Sequence, residues 1–312
     1  MYIGIDLGGT GIKVGLVTKD CKILRTDHVP TNAGRHYSEI IADMAALAKK
    51  VVKDAGHSLD EIESVGIGSP GTADDKNGIL VYSCNLNFDN VPMREEFQKH
   101  WNVPVHMGND ANCAAWGEFS YLNDPTIDDF VAITLGTGVG GGVIIDKKVY
   151  SGFNGAAVEI GHFQVRKDGV PCTCGRSGCW ERYASVTALI RITKEKMEKC
   201  PDSIMHIEAG KEGKVTGRTA FMAAKAGDVA AQEVVDDYIT NVAEGIVSVI
   251  NIFQPNKLVI GGAISKEGDY LLNPIQEFVQ RFSYVKNSPH TVISIASLGN
   301  DAGIIGAAML GH

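Results

Sequence analysis

Apolar residues along this chain change their period several times, and the changes lay out its elements. Residues 3–9 form a near-continuous apolar run broken only at Asp6 and closing in Asp6-Leu7-Gly8-Gly9-Thr10-Gly11, the pattern of a buried strand entering a tight turn. Residues 13–17 and 22–29 supply two further strands across a polar turn, so an antiparallel meander is expected. From 37 to 55 the period becomes helical, with Ile40, Ile41, Met44, Leu47, Ala48 and Val51 on one face. A short strand at 65–67 opens into Ser69-Pro70-Gly71, and a looped region containing Asn85-Leu86-Asn87-Phe88 follows. A helix near 93–101 then leads to a strand at 103–107 ending in Gly108-Asn109-Asp110-Ala111, where another helix begins and runs through Trp116 and Phe119.

The same order then recurs. Residues 130–135 run into Gly136-Thr137-Gly138-Val139-Gly140-Gly141-Gly142 and a second hairpin strand at 143–146. Leu258-Val259-Ile260-Gly261-Gly262-Ala263 mirrors Val65-Gly66-Ile67-Gly68-Ser69-Pro70, and Leu298-Gly299-Asn300-Asp301-Ala302 repeats Met107-Gly108-Asn109-Asp110-Ala111 almost letter for letter. Three matched landmarks in one order imply two copies of an α/β unit facing each other across a cleft. The first is expected to occupy 1–119, completed by a C-terminal helix at 302–312. The second is expected at 120–301, with an insertion at about 150–215 that the first copy lacks. Helices are expected at 185–197, 219–226 and 230–253, the last stopping at Pro255.

Bulk properties narrow the class. A length of 312 residues favours two domains, and 44% hydrophobic with 21% charged residues describes a globular chain. The 36 glycines gather in motifs, which points to backbone approaching ligands closely. The start, Met1-Tyr2-Ile3-Gly4-Ile5-Asp6, has neither a signal-peptide pattern nor a membrane anchor, so a cytoplasmic protein without membrane partners is expected. Seven cysteines, an odd number, agree with a reducing compartment.

The most chemically loaded stretch runs from Glu159-Ile160-Gly161-His162 to Cys172-Thr173-Cys174 and Gly178-Cys179-Trp180-Glu181. One imidazole and three thiols are the donors of a closed tetrahedral Zn²⁺ site, so His162, Cys172, Cys174 and Cys179 are expected to hold a structural zinc with no open position for chemistry. Such a knot would hold Glu159 and Glu181 in fixed positions. The rival readings are loop cysteines without metal and a DNA-binding finger. The finger is disfavoured by a net charge of −8 and no basic stripe, so no nucleic-acid partner is expected.

Two glycine-rich hairpins suit a polyphosphate, because glycine turns let backbone N–H groups reach oxygens. Neither is a Walker loop, and the signal lies in their pairing. An Asp opening a helix is commonly an N-cap, the role expected for Asp301. The duplication alone does not say which copy does chemistry. A phosphoryl-transfer enzyme needs one carboxylate to accept the proton of the attacking hydroxyl, and Asp110 suits it if the sugar lies near Glu159 and Glu181.

Taken together, Asp6-Leu7-Gly8-Gly9-Thr10, Gly108-Asn109-Asp110-Ala111, the 135–142 glycine run, Glu159-Ile160-Gly161-His162 and the 172–181 cysteine cluster resemble the ROK family of sugar kinases and repressors, over nearly the whole chain. The resemblance implies a duplicated actin-like (ribonuclease H-like) ATPase fold with a zinc-binding insertion in the second domain. It implies ATP with Mg²⁺ at Asp6, Gly8, Gly9, Thr10, Gly11, Lys13, Gly136, Thr137, Gly138, Gly261 and Gly262. It further implies Asp110 as general base, with Gly71, Asn85, Asn109, Asp110, Glu159, His162 and Glu181 around a hexose. Many members carry lysine directly after Gly-Gly-Thr, whereas here Gly11 intervenes and the lysine is Lys13. The family's repressors carry a DNA-binding helix-turn-helix ahead of the first hairpin; with the first strand placed from Tyr2, none is expected here.

Within the family, the 82–88 segment and the Leu298–Gly303 ending resemble bacterial ATP-dependent glucokinases, which implies conversion of glucose to glucose 6-phosphate. N-acetylmannosamine, N-acetylglucosamine, allose or fructose are the alternative substrates, and a non-catalytic sugar sensor is the rival from another class. The knot insertion and the long 230–253 helix suggest a homodimer or homotetramer.

Overall fold

The computed structural model describes residues 1–210 and 213–312; residues 211 and 212, inside the expected insertion, lie outside the described residues. The first elements are β1 (Tyr2–Leu7), β2 (Gly11–Val17), β3 (Ile23–Pro30), α1 (Tyr37–Asp54) and β4 (Ser64–Ser69). There follow β5 (Thr72–Asp74), β6 (Ile79–Ser83), β7 (Phe88–Val91), α2 (Met93–His100), β8 (Val105–Asn109) and α3 (Asp110–Leu122). The second half begins with β9 (Phe130–Leu135), β10 (Val139–Ile145) and β11 (Lys148–Val149). Its helices are α4 (Glu181–Ala184), α5 (Val186–Lys199), α6 (Met205–Glu208), α7 (Thr219–Lys225) and α8 (Val229–Phe253), and the chain closes with β12 (Lys257–Gly261), α9 (Asp269–Phe282), β13 (Val292–Ile295) and α10 (Ala302–Ala308).

Contacts divide the chain into two compact units. One comprises Met1–Ala132, Gly142–Val158 and Ser297–His312; the other comprises Ile133–Gly141 and Glu159–Ala296. The first unit is built on a sheet of order β3-β2-β1-β4-β8, in which β1 pairs antiparallel with β2 and parallel with β4. Strand alternation sends Ile3, Ile5 and Leu7 to one face, where they bury against Ile40, Ile41, Met44 and Val51 of α1. Each such side chain contributes roughly 1.5–3 kcal/mol of burial. The opposite face is shaved for α10: a Cβ on Gly4 would lie 1.8 Å from the Ile304 carbonyl oxygen, and one on Gly66 1.7 Å from that of Ala307. Glycine at both positions lets the helix backbone rest directly on the sheet.

The region after Gly71, expected as a loop, is a three-stranded sheet of order β5-β6-β7. Strands of three to five residues interrupted by turns carry too few alternations to display a period of two. It also protects the edge strand β8. Arg94 Nε donates to the Val105 carbonyl at 2.9 Å, and Asp75 Oδ1 accepts from Met107 N at 2.8 Å, so an ion pair occupies ladder positions that another strand would otherwise use.

The second sheet has the order β11-β10-β9-β12-β13, with β12 and β13 parallel. Its hairpin strand β10 begins at Val139, four residues before the expected start, because the glycines at 140–142 remain in extended pairing. Sequence patterning assigned nothing between 264 and 291, where the structure has α9; Pro274 inside it reads as a helix breaker. Among the described residues, no helix is long and apolar enough to cross a membrane.

Candidate active site and metal centre

In the first unit the chemistry gathers at the carboxyl ends of β1 and β8. The Gly8-Gly9-Thr10 turn closes through Gly8 N to the Gly11 carbonyl at 2.9 Å and is tethered by Thr31, whose hydroxyl donates to the Gly8 carbonyl at 2.6 Å. Thr31 is fully buried and carries no motif that would single it out in sequence. Asp6 and Lys13 are register partners across β1 and β2, with Nζ 3.8 Å from the carboxylate. Desolvation raises the Asp6 pKa, Lys13 lowers it, and the neighbouring Asp110 charge raises it again, the net shift being upward. Gly9 lies against the Asn85 backbone, which a Cβ would approach at 3.4 Å.

Asn109, the N-cap of α3, accepts from Ala111 N at 2.9 Å and Asn112 N at 3.2 Å. Its Nδ2 donates to the Gly71 carbonyl at 3.1 Å. Asn109 is therefore spent largely on holding backbone, and Asp110 takes the first helical position instead of the cap. The Asp110 carboxylate accepts from Ala111 N at 2.8 Å, and its hydrogen bonds come from its own turn, residues 109–111. It is reached by water but flanked by protein, and desolvation raises its pKa against the lowering effect of those hydrogen bonds.

The counterpart turn corrects an expectation. Asp301 stands at the N-cap position of α10 without any side-chain capping bond, because residues 299–301 form a 3₁₀ turn. What anchors this segment is Glu118 of α3, 3% exposed, whose oxygens accept from Ser297 N at 2.8 Å and Leu298 N at 2.7 Å. Sequence reasoning missed Glu118, since an acid inside a helix carries no local signal of burial.

In the second unit, the turn between Glu159 and His162 meets Val139 through Gly161, and Glu181 meets it through its carboxylate. The Ile160–His162 turn rests on it so closely that a Cβ on Gly161 would lie 2.3 Å from the Val139 carbonyl oxygen. Glu181 Oε2 accepts from Val139 N at 3.1 Å. Gly261 and Gly262 end β12 against β9: Gly262 has φ +91°, and a Cβ there would come within 2.2 Å of the Leu135 carbonyl oxygen. The expected nucleotide and sugar residues thus form one group in each unit.

The donor atoms of His162, Cys172, Cys174 and Cys179 all lie within 4.8 Å of one another. Cys172 Sγ is 3.6 Å from His162 Nδ1, and Cys174 Sγ is 3.6 Å from Cys179 Sγ. Tetrahedral zinc places such pairs about 3.5–3.8 Å apart, so the set fits that ion, and His162 coordinating through Nδ1 would leave Nε2 available. Turns hold the cluster: Cys172 N donates to the Arg176 carbonyl at 2.8 Å, and Gly178, at φ +78°, approaches the Arg166 carbonyl where a Cβ would lie 1.6 Å away. Trp180 then anchors it to α8. The indole is fully buried, stacks on Phe163 and donates to the Asn241 carbonyl at 2.8 Å. All seven cysteines are unpaired.

The sequence signature of the ROK family spans residues 2–312. The chain belongs to the ROK family. Its α/β fold is that of ROK sugar kinases within the actin-like ATPase superfamily. This ROK chain is 34% identical over 310 residues to a glucokinase of Halalkalibacterium halodurans, covering 99% of this chain and 94% of that protein. It is 36% identical over 309 residues to a glucokinase of Thermotoga maritima, covering 99% and 96%. Among solved structures, it is similar to a ROK family glucokinase from Streptomyces griseus in complex with glucose and AMPPNP, with a TM-score of 0.82, 35% identity and coverage of 99% and 98%.

Proposed function

We propose that this ROK chain is an ATP-dependent hexose kinase that converts glucose to glucose 6-phosphate. The reading rests on Asp110, a carboxylate released from capping by Asn109, in a chain 34–36% identical to two glucokinases over nearly its full length. Asp110 accepts the proton of the attacking 6-hydroxyl as the γ-phosphoryl moves in line. A raised pKa suits that task, because a base too acidic gains little from the transfer. Asn109, Gly71, Asn85, Glu159, His162 and Glu181 orient the sugar, while the turns at 8–11 and 136–138, with Lys13 and Gly261–Gly262, take the phosphates. Magnesium brought with ATP, held near Asp6, supplies countercharge to the phosphates. Zinc at His162, Cys172, Cys174 and Cys179 fixes the positions of Glu159 and Glu181.

The unpaired cysteines fit a reducing compartment, and we assign the activity to the cytoplasm. Self-association through exposed apolar side chains at the end of α8, such as Ile252 at 68% exposure, completes the reading. The test is ADP release with Mg-ATP across hexoses and N-acetylhexosamines, with the metal content of the sample measured alongside. Preference for glucose is expected. An N-acetyl sugar preferred tenfold would overturn the substrate, and silence with every sugar would favour a sensor.

A further inference from the structure

The segment leaving the metal knot grips the second glycine turn at three points. Glu181 accepts from Val139 N, Val186 N donates to the Gly136 carbonyl at 2.8 Å, and the Thr187 hydroxyl donates to the Thr137 carbonyl at 2.7 Å. The grip is stiff. Ser185, 1% exposed, caps α5 by accepting from Ala188 N at 3.1 Å, which sets Val186 and Thr187 in the first turn of that helix. Gly138 has no space for a side chain, since a Cβ would lie 2.2 Å from Glu181 Oε2.

A trans peptide is planar, with its C=O and N–H pointing in opposite directions. Holding the Gly136 and Thr137 carbonyls toward α5 therefore turns the N–H groups of Thr137 and Gly138 away from it. Among the described residues neither N–H has a protein partner. Two successive free N–H groups aimed the same way form an anion-binding concavity, and its geometry depends on the carbonyls behind it.

We propose that Thr187, together with Val186 and Glu181, positions the Gly136–Gly138 turn, so that the strut from the metal knot to α5 sets nucleotide affinity as well as the sugar side chains. This rests on the kinase reading. Thr187 touches no substrate and acts through the Thr137 peptide.

The test is Thr187→Val, which removes the hydroxyl at nearly constant shape on an exposed helix start, read by calorimetric titration with a non-hydrolysable ATP analogue and by steady-state kinetics. Losing one aiming hydrogen bond is expected to weaken nucleotide binding and raise the KM for ATP roughly three- to tenfold. The KM for glucose should stay within about twofold, and Thr187→Ser should restore the parental value. Parental nucleotide affinity in Thr187→Val overturns the proposal alone. Equal losses for sugar and nucleotide with a lowered thermal midpoint also overturn it, since that marks general loosening. A parent chain that binds no nucleotide overturns the kinase reading and this inference with it.

Discussion

Residues 107–111 and 298–302 share the letters Gly-Asn-Asp-Ala, yet the backbone passes through them differently. In the first, Gly108 is still a strand residue paired with Gly68, so the chain enters α3 from extended backbone and Asn109 takes the cap. In the second, β13 has ended at Ile295, Gly299 turns at φ +56°, and the 3₁₀ turn puts Asn300 where its amide caps nothing. One turn is held by its own asparagine; the other is held from outside by Glu118. A capping motif is a property of the approach as much as of the letters. The comparison teaches that internal repetition locates a candidate acid but does not choose between its copies.

The largest expected contrast is catalytic. Asp110→Asn should lower kcat by roughly a thousandfold while sugar binding persists, whereas Asp301→Asn should stay within about twofold. Comparable losses in both would erase the distinction drawn between the turns. The pH profile sharpens it. Because desolvation raises the Asp110 pKa and the base must be ionised, the acid limb of kcat/KM should lie above the ordinary aspartate value of about 3.9. A raised folded-state pKa contributes stability below the unfolded value that is lost as pH rises through the folded one. Asp110→Asn should therefore melt no lower than the parent at neutral pH, with any gain vanishing at acid pH.

Next in size is Glu118→Ala, which removes the buried acceptor of two part-buried backbone N–H groups and should cost about 1–3 kcal/mol in urea denaturation. A cost below about 0.5 kcal/mol would mean that the 297–298 segment is held by something else. The smallest contrast compares the asparagines. Asn109→Ala should lose about 1 kcal/mol of capping, and Asn300→Ala less than about 0.5 kcal/mol, by the same measurement.

Much of the layout was legible because it is local. The helical spacing at 37–55 became α1, Tyr37–Asp54, and the apolar run after Met1 became β1. The His and Cys spacing anticipated a cluster whose donors do converge, since ligands on short turns have few ways to meet. The β5-β6-β7 sheet was hidden by strands too short to show a period, and α9 by its internal proline. Thr31, Glu118 and Thr187 were missed for another reason. Each acts on backbone at least 23 residues away in the chain, and such partners leave no mark on neighbouring letters.

By itself, the sequence determined the element periods, the duplicated landmarks, the His and Cys set whose donors converge and the family, because each resides in residue types and their spacing. Only the tertiary structure decided which Gly-Asn-Asp turn frees its aspartate, how the glycine turns are aimed and what holds them. Those depend on strand ends, buried carboxylates and carbonyl directions that exist once distant segments have packed together.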